Sequence, residues 1–146
     1  MEPRLDYGKV LPEAMRSIYA LDRYSQNSGL EPSLLELTKL RASQLNGCAY
    51  CVQLHTATGR ELGIPEAKLT LIVTWREAGI FSEREQAALA WAEELTLLAE
   101  RHVPDAAYEA AREVFTELEL AGLTAVIATI NVWNRIAVTY RYAPEV

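Results

Sequence analysis

Apolar positions recur at helical spacing along almost the whole chain. Leu11, Met15, Ile18 and Tyr19 share one face of a segment that Pro12 opens and Gln26-Asn-Ser-Gly29 closes, which predicts a helix over about 12–24. A second helix is predicted from Pro32-Ser33 through Leu34, Leu37, Leu40 and Arg41 to Asn46-Gly47, where glycine can take the left-handed terminating conformation. A third runs over about 49–62 until Gly63, and a fourth from Pro65 to near Gly79, although its Leu69–Trp75 portion is β-branched enough to resemble a strand. Two capping boxes, Ser82-x-x-Glu85 and Thr116-x-x-Glu119, open the fifth and the last long helices, because such pairs satisfy orphan amide donors reciprocally. Between them Val103-Pro104-Asp105 breaks the chain before a shorter helix over about 106–114. The last helix, about 120–140, is apolar on nearly every side except at Asn131, Asn134 and Arg135, so it is predicted to be central or intersubunit. No alternating run carries a hairpin signal. The pattern therefore predicts an all-α bundle of about six to seven helices, in one domain over 1–146.

Composition narrows the function classes. The 146 residues are 50% hydrophobic and 23% charged, ordinary values for a folded, soluble protein. The formal net charge of -6, without a basic cluster, argues against a nucleic-acid partner. The uncharged stretch Leu120–Asn134 is shorter than the roughly 20 residues that cross a bilayer, so no membrane partner is expected. Met1-Glu-Pro-Arg-Leu-Asp-Tyr7 has charges where a signal peptide needs an apolar core. Two cysteines, close together, are too few to staple a secreted fold, and a reducing cytoplasmic location is expected. In that setting a close cysteine pair points to redox chemistry or to metal.

The informative stretch is Cys48-Ala-Tyr-Cys51-Val-Gln-Leu-His55. On a helix these spacings put both thiols and the imidazole on one face, and a helix N-terminus favours a thiolate. His55, with an ordinary pKa of about 6.5, is the nearest base to Cys51. Glu36 lies on the preceding helix, which turns back at Gly47, so antiparallel pairing can bring its carboxylate alongside. Ser33-x-x-Glu36 is equally a capping box, and on that reading Glu36→Gln should cost no more than about 1 kcal/mol of stability. Cys48 and Cys51 could also be half a zinc site, completed by His55 and either His102 or Glu36. Inert core residues are the third reading. His102, between Arg101 and Val103, is expected to play a structural part at a helix end, and Trp75, Trp91 and Trp133 to be core or interface aromatics.

Taken together these residues resemble the alkylhydroperoxidase D-like group of the carboxymuconolactone decarboxylase superfamily. Its motif of Glu, eleven residues, Cys-x-x-Cys, three residues and His is filled by Glu36, Cys48, Cys51 and His55. Ser82 to Trp91 and Asn131-Val-Trp-Asn-Arg135 are also similar to the family. The resemblance implies an all-helical fold that forms homo-oligomers, commonly trimers or hexamers, and thiol peroxidase or disulfide reductase chemistry with no cofactor and no metal. It implies that Cys51 attacks the peroxide, Cys48 resolves the sulfenic acid as a disulfide, and Glu36 with His55 relays the proton. Where alkylhydroperoxidase D often carries a histidine, this chain has Tyr50, a poor base at neutral pH. The expected partners are a small organic hydroperoxide or a partner disulfide, and a thiol electron donor. The alternatives are a lactone decarboxylase of the same superfamily and a zinc-stapled, non-catalytic interaction module.

Overall fold

The computed structural model describes residues 2–144, and among these every regular element is helical. A single turn, α1 (Tyr7–Val10), precedes the first long helix; Asp6 caps it by accepting from the Lys9 amide at 3.1 Å. Then follow α2 (Pro12–Gln26), α3 (Pro32–Leu45) and α4 (Ala49–Glu61), with Pro12 and Pro32 in the first turns of their helices as their preset φ favours. The predicted fourth helix is broken into α5 (Glu66–Leu71), a 3₁₀ turn at Ile72–Thr74 and α6 (Trp75–Ala78). The break falls on the β-branched run Ile72-Val-Thr74, whose side chains crowd a regular helix. Burying Ile72 completely while turning Trp75 into the core fixes the tighter geometry there. Gly79, at φ 65°, ends the segment as predicted. Both capping boxes form, opening α7 (Glu83–Thr96) and α9 (Glu117–Tyr140), and α8 (Asp105–Val114) lies between. The result is an all-α fold with more helical pieces than the six or seven expected.

The most continuously buried element is α3 rather than α9. From Leu34 to Leu40 every residue of α3 is buried, since α4, α7 and α9 all pack against it. One part of the core joins α3 to α7, α8 and α9 through Leu34, Leu35, Trp91, Phe115, Leu123 and Ile127. A second joins α3 to the α5–α6 region through Leu37, Leu40, Leu69, Ile72, Trp75 and Phe81. Polar groups on so buried a helix must be satisfied within the protein. Thr38 donates to its own Leu34 carbonyl at 2.8 Å, and Glu93 of α7 accepts from Trp75, Arg41 and Arg76 at 2.9, 2.8 and 2.6 Å. By length and composition α9 could cross a bilayer, but half of its apolar window is buried within the fold. Leu118, Val132 and Val138 of this helix are exposed.

Candidate active site

The site is built on the turn between α3 and α4. Gly47, at φ 64°, reverses the chain, and the Cys48 amide bonds back to the Ser43 carbonyl at 3.0 Å. Asn46 ties this turn to α9, donating to Asn131 at 3.0 Å and Asn134 at 2.8 Å, while Asn134 donates to Ser43 at 3.0 Å. Fixed in this way, Cys48 is the N-cap of α4 and Cys51 its third residue. The Cys48 sulfur accepts the Cys51 amide at 3.3 Å, so it occupies the place where orphan helix donors converge. The two cysteines are joined as a disulfide, with Cα atoms 5.3 Å apart.

One turn further along α4, His55 meets Glu36 across the hairpin, with Nδ1 2.8 Å from Oε2. The other oxygen of Glu36 accepts from Lys39 Nζ at 3.0 Å. Glu36 therefore does not cap α3. Pro32 already takes the first helical position and Glu31 is the N-cap, so Ser33 lies inside the helix, where a capping box cannot form. Burial pushes the Glu36 carboxyl up, but the hydrogen bond and charge of His55 and the Lys39 ammonium outweigh it, leaving the group below the ordinary carboxylate range.

A cavity of about 300 Å³ opens onto these groups. Cys51, His55, Glu36 and Lys39 line its floor, and Tyr19, Trp133 and Tyr142 are among the apolar walls. Cys48, 1% exposed, lies behind Cys51 and does not border the cavity. The structure thus brings all four residues of the Glu-Cys-Cys-His pattern together. Trp75 and Trp91 are core residues as expected, whereas Trp133 is a cavity wall, packed at 5.0 Å against the Tyr19 ring. His102 is not in a last helical turn: α7 ends at Thr96 and His102 lies exposed beyond it. Of the two zinc sets, the one that uses His102 is not assembled, since His102 is elsewhere; in the one that uses Glu36 the residues are neighbours, but the two thiols are bonded to each other. Among the described residues no three His, Cys, Asp or Glu are grouped to hold a metal. Lys39 also joins the site; the only sequence signal for it is its place three residues after Glu36, on the same helix face.

Residues 11–94 match the carboxymuconolactone decarboxylase family. The uncharacterised protein YdfG of Bacillus subtilis is 36% identical over 138 residues, 94% of each chain. A crystal structure from Agrobacterium tumefaciens, of a protein of unknown function suggested to be the antioxidant defence protein AhpD, superposes with a TM-score of 0.96. It is 42% identical, over 99% of both chains. The alkylhydroperoxidase AhpD core of an uncharacterised peroxidase-related protein from Ralstonia eutropha superposes with a TM-score of 0.81. It is 27% identical, over 92% of this chain and 72% of that one.

Proposed function

The chain belongs to the carboxymuconolactone decarboxylase family, in its alkylhydroperoxidase D-like group, and from that premise we propose that it is a cofactor-free thiol peroxidase or disulfide reductase cycling through Cys48 and Cys51. The observation that carries this reading is the placement of Cys51 on the cavity floor with the Glu36–His55 pair, with Cys48 directly behind. In the reduced enzyme His55 takes the Cys51 thiol proton, and Glu36 steadies the imidazolium that forms. The Cys51 thiolate attacks one oxygen of a small organic hydroperoxide. The O–O bond breaks, Cys51 becomes a sulfenic acid, and the alkoxide leaves as the alcohol after taking the proton from His55. The Cys48 thiolate then attacks the Cys51 sulfur, forming the disulfide and releasing water once the proton of Cys48 has passed to the departing hydroxide. Two thiols of an external donor return the pair to the reduced state and leave as their own disulfide. In the reductase variant of the cycle, a partner disulfide replaces the hydroperoxide. The proposal places the enzyme in the cytoplasm, as a homo-oligomer of three or six chains.

The test is to treat reduced protein with one equivalent of cumene hydroperoxide and follow the cysteines by mass spectrometry. Wild type should form the intramolecular disulfide within seconds. Cys48→Ser should still consume one equivalent and leave a dimedone-reactive sulfenic acid on Cys51, whereas Cys51→Ser should consume none. Label on Cys48 of the Cys51→Ser protein would reverse the two roles. No reaction of wild type with hydroperoxide or with a disulfide would overturn the reading. Lactone decarboxylation, which needs an acid/base and an anion clamp but no thiol pair, would then take its place.

A further inference from the structure

Lys39 is a cation where neither the helix nor the thiol chemistry requires one. It is 5% exposed on the most buried helix of the fold, and an ammonium is kept in such a place only at a considerable desolvation cost. Its Nζ lies 3.0 Å from Oε1 of Glu36, itself 7% exposed, and Oε2 of the same carboxylate is 2.8 Å from His55 Nδ1. Both carboxylate oxygens are thus held, one by a fixed positive charge and the other by the imidazole. An ionised Glu36 makes His55 carry its proton on Nδ1, which leaves Nε2 as the basic nitrogen.

We propose that Lys39 is a positioning residue of the site: it holds Glu36 ionised and aimed at His55, so that the imidazole keeps the tautomer able to take the proton of Cys51. This rests on the thiol cycle proposed above. The other titratable groups at the cavity are His55, Tyr50 and, in the reduced enzyme, the Cys51 thiol from α4, Asp22 and Tyr19 from α2, and Tyr142 beyond α9. The cavity residues of α9 itself, Ile130, Trp133 and Ala137, carry no titratable side chain. On α7, which also packs on α3, the buried Glu93 is engaged by Trp75, Arg41 and Arg76. Lys39 is therefore the one fixed cation bonded to Glu36 among the described residues. Removing it raises the Glu36 carboxyl, so that a larger fraction is protonated at pH 6, and a protonated Glu36 no longer selects the Nδ1–H tautomer.

The experiment compares Lys39→Met and Lys39→Arg with wild type, each with Glu36 or with Glu36→Gln. Two readouts are taken between about pH 3 and 8, a window that reaches below the ordinary carboxylate range where Glu36 titrates: the ¹³C chemical-shift titration of the Glu36 side-chain carboxyl, and the single-turnover rate of disulfide formation with cumene hydroperoxide. In Lys39→Met the Glu36 midpoint should move to higher pH and the acid limb of the rate should follow it. A displacement of one pH unit corresponds to about a tenfold loss on that limb. Lys39→Arg, which keeps the charge, should retain most of the wild-type profile. With Glu36→Gln already present, Lys39→Met should slow the reaction no further. An unchanged Glu36 midpoint and rate profile in Lys39→Met would overturn the proposal. So would equal slowing in both backgrounds, which would make Lys39 a direct substrate contact. The carboxyl titration needs no turnover, so a failure of the peroxidase reading and a failure of the Lys39 proposal give different results.

Discussion

At Glu36 the sequence permits two readings, and the structure chooses between them by what the carboxylate touches. The Ser33-x-x-Glu36 spacing fits a cap, but Pro32 takes the first helical position, which puts the N-cap at Glu31 rather than Ser33 and leaves Glu36 to face α4. That distinction is tertiary, and no local pattern could supply it; Cys48, Cys51 and His55 were legible because their chemistry is written within eight positions. The stability expectation changes accordingly. Replacing a cap costs about 1 kcal/mol, whereas removing one member of a buried ion pair typically costs about 3–5 kcal/mol because its partner is left charged and dry. We therefore expect Glu36→Gln to lower urea-denaturation stability by clearly more than a cap would, and to slow disulfide formation by about 10²-fold. Adding Lys39→Met should recover much of the stability and none of the rate. The folded-state carboxyl of Glu36 lies below its ordinary value, so the stability it contributes is fully present above that value and is lost as pH falls through the folded one. The difference between wild type and Glu36→Gln should therefore shrink toward acid pH.

Element boundaries were legible wherever the chain carries its own punctuation. Prolines, capping boxes and Gly47 lie where α2, α3, α4, α7 and α9 begin or end, and each was placed to within about a turn. The break at Ile72–Thr74 has no breaker residue to mark it, because its cause is the core position that Ile72 and Trp75 must reach. The short α1 is no better marked, being a single turn held by one aspartate. The contact of α9 with the α2–α3 turn was equally hidden. A Cβ built on Gly122 would lie 2.8 Å from the Ser28 Cβ, an atom fixed to the backbone. Alanine is ordinarily better than glycine in a helix by about 1 kcal/mol. Here we expect Gly122→Ala to be destabilising by about 1–3 kcal/mol, as overpacking usually is, and Ser28→Gly to relieve it; thermal or urea unfolding of the single and double variants checks both.

For the molecule as a whole, the surface carries the next expectation. Val10, Tyr24 and Leu118 are 62, 69 and 74% exposed, and α9 adds the exposed Val132 and Val138, apolar side chains that a second copy of the chain could cover. We expect light scattering at micromolar concentration to give a homo-oligomer, and a 16.3 kDa particle would refute it. The cavity divides along the chain in a telling way. Its reactive floor comes from one hairpin, in which Glu36 and His55 are only 19 positions apart, while its walls come from Tyr19, Trp133 and Tyr142 at the two ends of the sequence. Short loops close at small entropic cost, so the hairpin can assemble early in folding, before the walls arrive around it. The same division bears on descent. On the thiol cycle proposed above, substitutions in α2 or α9 can reshape what enters without disturbing the hairpin, so a lineage carrying it can exchange one substrate for another while inheriting the same reaction.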